Sequence, residues 1–180
     1  RTIVIKAEFL TGGPTTGQRI EALFAHIPGL RVGVPSNPRD AEDMMRDSLS
    51  YKGVSVLFED RMIPDEFIED EHEPHMTRGA LVSYGFTQHM LHTQGNRLPG
   101  WHSIDLRWLY PLDLKSVLLT AKVTGRLLIV EPAQTFIGIG AEIAAQVAEH
   151  QLGVLIQRLG GPCEVIPASR EGQARMLPSR

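Results

Sequence analysis

"LRVGVPSNPRDAEDMMRDSLSYKGVSVLFED", residues 30–60, holds the pattern that decides the fold. It opens on a short β-branched run, turns at Pro35–Pro38, and closes on a second strand-like run, "VSVLFED". Between them Asn37 is a good helix N-cap, and Pro38 stands at the first helical position, where its missing N–H is not needed. Asp40 and Glu42 lie near the positive end of the helix dipole. Ala41, Met44, Met45 and Leu49 form the stripe expected to be buried. Strand, helix, strand is the signature of a parallel sheet with right-handed crossovers.

The pattern extends in both directions. "TIVIKA" (residues 2–7) reads as a buried strand. In "GQRIEALFAHIPG" (17–29), Ile20, Leu23, Phe24 and Ile27 share one helical face until Pro28-Gly29 stops the helix. Residues 61–79, "RMIPDEFIEDEHEPHMTRG", lack periodicity and read as a linker, with a domain boundary near Pro74. Alternation then resumes: strand "ALVSYG", a short helix near 87–91, strand "HSIDLR", a helix from near Leu112, strand "RLLIVE", a helix from about Gly140, and strand "CEVIP". The expected fold is α/β in two parts, residues 1–74 and 75–180.

Composition narrows the function. The 180 residues are 42% hydrophobic and 22% charged, which describes a chain with a real core. The net charge of −3, with acids and bases interspersed, excludes the basic footprint of a nucleic-acid binder. One cysteine, Cys163, excludes an intrachain disulfide and suits a reducing compartment. Apolar runs such as residues 127–130 are too short to span a bilayer, and no signal peptide is visible. The chain begins at Arg1, directly on a strand-like run, as a processed chain or a fragment would.

Few residues announce chemistry. Asp65, Glu66, Glu69, Asp70, Glu71, His72, Glu73 and His75 lack zinc-type spacing and read as a solvated linker. Gly138-x-Gly140 falls short of a dinucleotide fingerprint, because Ile143 stands where the third glycine belongs; a glycine-rich turn opening a helix explains it. His26 lies off the apolar stripe of its helix. His89, His92 and His102 surround a loop, with no nucleophile in evident relation to them. Cys163 reads as a small core residue at the start of a strand. No G-x-S-x-G elbow or Walker loop is present.

Three stretches together resemble one family. "EALFAHIPGLRVGVPSNPRDAEDMMRDSL" followed by "VLFED" is similar to the latter half of a pyrimidine-binding domain. "IDLRWLYPLDLKSVLLTAKVTGRLLIVEPAQTFIGIGAEIAAQV" is similar to a transketolase C-terminal domain. In this order they resemble the beta subunit of thiamine diphosphate-dependent 2-oxo acid dehydrogenases, the decarboxylating components of the pyruvate, branched-chain and acetoin complexes. The resemblance implies part of a pyrimidine-binding α/β domain followed by a three-layer α/β/α domain. It implies oxidative decarboxylation of a 2-oxo acid, with the acyl fragment passed to a lipoyl group. Thiamine diphosphate with Mg2+ would be shared with an alpha subunit. A second beta subunit and a dihydrolipoyl acyltransferase core would be further partners, in the cytoplasm or the mitochondrial matrix.

Three departures qualify the resemblance. The glutamate that bonds the aminopyrimidine in the family would lie upstream of Arg1. Counting back from Pro28, the resemblance puts the family's catalytic histidine at Thr16, whose hydroxyl cannot shuttle a proton near neutral pH as imidazole does; on its own Thr16 reads equally as a turn residue or helix N-cap with no catalytic part. Between "VSYG" and "IDLR" a long family helix is replaced by "FTQHMLHTQGNRLPGW", broken by Gly95 and Pro99. Two expectations follow: a beta-subunit component inactive as an isolated chain, or a non-catalytic dimerisation and docking module of the same fold. A nucleotide-binding α/β domain would rest on Gly138 and Gly140 alone.

Overall fold

The computed structural model describes residues 1–9, 13, 17–64, 78–93 and 98–178. In chain order the elements are β1 (Ile3–Phe9), α1 (Glu21–Ala25), β2 (Leu30–Gly33), α2 (Pro38–Ser50), β3 (Val54–Asp60), β4 (Gly79–Ser83), α3 (Gly85–Thr93), β5 (Trp101–Asp105), β6 (Trp108–Tyr110), α4 (Leu114–Thr124), β7 (Arg126–Gln134), α5 (Ile139–Glu149), β8 (Leu155–Gly161) and α6 (Arg170–Ala174). They build two four-stranded sheets, ordered β1-β3-β2-β6 and β5-β4-β7-β8. All pairings are parallel except β6 against β2. The α/β reading holds.

Local chemistry sets the helix ends. The Asn37 side chain accepts from the Asp40 N–H at 2.9 Å, and Pro38 opens α2. Asp113 caps α4 by accepting from the Ser116 N–H at 3.2 Å, and Gly125 ends that helix in the left-handed region at φ 69°, which favours glycine. Hydrogen bonds from Ser116 hold the Asp113 carboxyl below its ordinary pKa. One continuous core joins the two sheets. Val32, Val56 and Phe58 of the first meet Ala80, Val82, Leu127 and Ile129 of the second, with Val117, Ile143 and Val147 from the helices. Each fully buried aliphatic or aromatic side chain there contributes about 1.5–3 kcal/mol.

Several expectations are corrected. β1 forms, but as the edge strand of its sheet, with Ile3 and Ile5 about half exposed. The α1 stripe does not face the core: Ile20, Leu23 and Ile27 are exposed, Phe24 is partly buried, and Glu21 is fully buried instead. In α2 Leu49 is exposed and Ser48 is buried, its hydroxyl donating to the Met44 carbonyl at 2.7 Å. The last strand is "LIQRLGG", not "CEVIP", which follows it as irregular chain, and Cys163 is exposed rather than in the core. The short strand β6, unannounced in the sequence, carries the chain back to the edge of the first sheet. Pro74 lies outside the described residues.

Candidate functional site

Four parallel strands end around one cleft. Phe9, Asp60, Gln134 and Gly161 are the last residues of β1, β3, β7 and β8, and all four line it. Ligands of open α/β sheets bind outside the carboxyl ends of strands, where connecting loops diverge. Here two sheets contribute those ends. Gly17, Gln18 and Arg19 lead into α1 along one wall, and Gln173 and Met176 form another. The space is small, about 70 Å³, enough for roughly five water molecules.

Arg19 organises the first wall. Its guanidinium pairs with the almost fully buried Asp60 carboxylate and lies 4.3 Å over the Phe9 ring. Asp60 also accepts from the Met62 N–H at 3.0 Å, so both carboxylate oxygens have partners. Phe9 stacks on Phe58 at 5.1 Å, and Phe24 meets Phe58 edge-on at 5.3 Å. Behind this wall Glu21 is fully buried, its Oε1 accepting from the Tyr84 hydroxyl at 3.3 Å. Burial raises the Glu21 carboxyl above its ordinary pKa and drives the Tyr84 phenol well above its own.

The second wall is supported from Glu131. This carboxylate is fully buried, accepts from the Gly140 N–H at 3.1 Å and pairs with Arg158 at 3.0 Å. Arg158 also donates to the Thr135 carbonyl. Burial raises the Glu131 carboxyl, and the Gly140 and Arg158 bonds oppose that rise. A Cβ on Gly138 would lie 2.4 Å from Glu131 Oε2, and one on Gly140 would lie 2.7 Å from Oε1. Both glycines therefore make room for a carboxylate of the chain itself. A dinucleotide phosphate would be repelled there, so the glycine pair gives no support to a nucleotide site.

The sequence-selected residues distribute as follows. Thr16 lies outside the described residues, as do the acids and histidines of residues 65–75, while its neighbour Gly17 lines the cleft. His26 is exposed, on an apolar groove of about 710 Å³ between α1, the β6–α4 turn and the start of α5. His92 is not without a nucleophile nearby, because Ser103 Oγ lies 3.3 Å from its Nε2; Gln88 bonds both groups, at 2.8 and 3.1 Å. Only the adjacency of α3 and β5 brings them together. Among the described residues lining the cleft there is no imidazole or thiol, and no group of three metal-ligating side chains occurs among the described residues. Among the described residues no helix is long and apolar enough to cross a membrane. The described cleft can position a ligand by shape, ion pair and amide hydrogen bonds.

Comparisons with known proteins converge. The transketolase C-terminal domain family matches residues 80–179. The 2-oxoisovalerate dehydrogenase subunit beta of Bacillus subtilis is 30% identical, across 89% of this chain and 56% of its own length. The pyruvate dehydrogenase E1 component subunit beta of Porphyra purpurea is 32% identical, across 77% of this chain and 46% of its own. The chain thus spans about half the length of the curated relatives it matches. Among solved structures, a split-gene transketolase described as an inactive beta4 tetramer superposes with a TM-score of 0.74, covering 97% of this chain and 60% of its own, at 18% identity. At that identity the likeness concerns the fold.

Proposed function

This chain belongs to the transketolase C-terminal domain family, and from that premise we propose that it is a beta-subunit component of a 2-oxo acid dehydrogenase. The observation that supports this best is the cleft, assembled from the strand ends of both sheets and entered by the segment just after Thr16. In this reading residues 1–74 are part of the pyrimidine-binding domain and residues 75–180 the transketolase C-terminal-like domain. The component decarboxylates a 2-oxo acid and passes the acyl group to lipoyl groups of an acyltransferase core. It works in a bacterial cytoplasm or a mitochondrial matrix.

Thiamine diphosphate, when bound, would supply the electron sink for decarboxylation. The described residues do not fit its diphosphate and magnesium end. Among the described residues the glycine pair opening α5 is filled by Glu131, the cation lining the cleft, Arg19, is already paired with Asp60, and no group of three metal-ligating side chains occurs. No step is therefore assigned to the cofactor on this chain. The diphosphate and metal belong, in this proposal, to an alpha subunit, with which the site is completed. The chain's own part is positional: Arg19 and Asp60 fix the first wall, and Glu131 with Arg158 holds the second.

The alternative, a non-catalytic dimerisation or docking module, is favoured by two observations: Thr16 at the position matched to the family histidine, and the exposed apolar face of α1. Reconstitution decides between them. The chain combined with the alpha subunit of its own complex, thiamine diphosphate and Mg2+ should reduce an artificial acceptor dye in a 2-oxo acid-dependent way. The chain alone should not. Absence of turnover in a complex that does form would favour the module.

A further inference from the structure

Ser36, just before α2, and Asp105, at the end of β5, meet across the two sheets. Ser36 is buried, and its hydroxyl is hydrogen-bonded to Asp105 Oδ2 while lying 3.2 Å from Asp40 Oδ2. A hydroxyl has one proton to donate. It cannot donate to both carboxylates at once; Asn37 Nδ2, 3.4 Å from the serine oxygen, is a further donor there, and a proton on one carboxylate would turn both serine contacts into hydrogen bonds. Of the two carboxylates, Asp40 is the one beside an amide donor, a guanidinium and a helix N-terminus. Its Oδ2 accepts from Asn37 Nδ2 at 2.7 Å, its Oδ1 lies 3.4 Å from Arg107 Nη1, and it sits in the first turn of α2, where the helix dipole favours an anion. Asp105 is left with one further donor, the Arg107 N–H at 3.2 Å.

We propose that Asp105, Ser36 and Asp40 form a proton-gated latch between the two sheets. With a proton on Asp105, the chain runs from Asp105 Oδ2–H to Ser36 Oγ and from Ser36 Oγ–H to Asp40. When that proton leaves, two carboxylates face one hydroxyl and the join is weakened. The join itself is close by: the Val34 N–H donates to the Arg107 carbonyl at 2.7 Å, and Gly33 pairs with Trp108. Arg107 is held at φ 50°, a left-handed conformation unusual for a residue with a Cβ, as the turn requires. The charged groups facing Asp105 are Asp40 from α2 and Arg107 from its own turn; across β4 it is opposite Ser83, whose hydroxyl is bonded to Thr87. Burial, reinforced by the charge of Asp40, pushes the Asp105 carboxyl up to about 7, although the Ser36 and Arg107 bonds oppose the rise.

The sign follows from that direction. The folded chain keeps the Asp105 proton where the unfolded chain has released it, so the folding equilibrium weakens as pH rises from about 4 towards 7. One such proton accounts for up to about tenfold per pH unit. The test is a carbon-13 NMR titration of the aspartate carboxyls, with amide exchange of Val34, corrected for its intrinsic rate, followed on the same 180-residue chain. Asp105 is expected to titrate near neutrality. Val34 protection is expected to fall from pH 5 to pH 8 in the wild type and to stay level in Asp105→Asn. Ser36→Ala should move the Asp105 midpoint, which provides a second readout should Asp105→Asn fail to fold. An Asp105 midpoint in the ordinary carboxylate range, about 4, or an unchanged Val34 response in Asp105→Asn, would overturn the proposal.

Discussion

Single residues decide how this chain packs, and three give direct tests. Glu21 is the least expected, a carboxylate with no exposed surface where periodicity predicts only a helix start. Its pKa is raised by burial, so the folded state disfavours its ionised form above the ordinary carboxylate range. Glu21→Gln should therefore stabilise the chain at pH 8 and leave it unchanged near pH 3, as read by urea unfolding at both values. Arg158→Met should cost about 3 kcal/mol or more in the same assay, because the buried Glu131 charge loses its partner. Under the proposed function Thr16→His bears on catalysis rather than stability. A missing proton shuttle is worth about 10²–10⁴ in rate, so turnover of the reconstituted complex should rise by about a hundredfold in that variant. None of the buried pairs was legible in the sequence. Arg19 and Asp60 stand 41 positions apart, one in the segment leading into α1 and the other at the end of β3, and only the tertiary fold brings them together.

At the scale of elements the sequence was most informative where local chemistry acts alone. Asn37, Pro38 and Asp40 fix the start of α2 within one turn, and the structure keeps that start. Asn37→Ala should lower stability by about 1 kcal/mol, measured by thermal or urea unfolding. Periodicity also found the apolar stripe of α1, but it cannot say whether a core or another molecule faces it. Leu23 is 66% exposed whereas Phe24 packs on Phe58. Leu23→Glu should then leave the unfolding free energy within about 0.5 kcal/mol, and Phe24→Ala should cost about 2 kcal/mol or more; equal losses would contradict the observed orientation. The last strand was placed too late, at "CEVIP", whereas it spans Leu155–Gly161 and ends on Gly160 and Gly161. They are there for close approach: added Cβ atoms would lie 2.8 Å from the Ala133 carbonyl and 2.5 Å from that of Met176. β6, three residues long, has too little pattern of its own and exists by pairing with β2.

For the whole molecule, two sheets share one core, and a cleft lies where four of their strands end. The fold class was readable because alternation of strand and helix survives any error at the boundaries. The site was not, since its walls come from segments more than a hundred residues apart. Its completion by a second subunit is the central claim. Native mass spectrometry of the protein isolated gently from its source cells tests this most directly. The account predicts a heteromeric assembly, containing this chain with a subunit of different mass and retaining thiamine diphosphate. A homomeric assembly of this chain that carries no cofactor would contradict it.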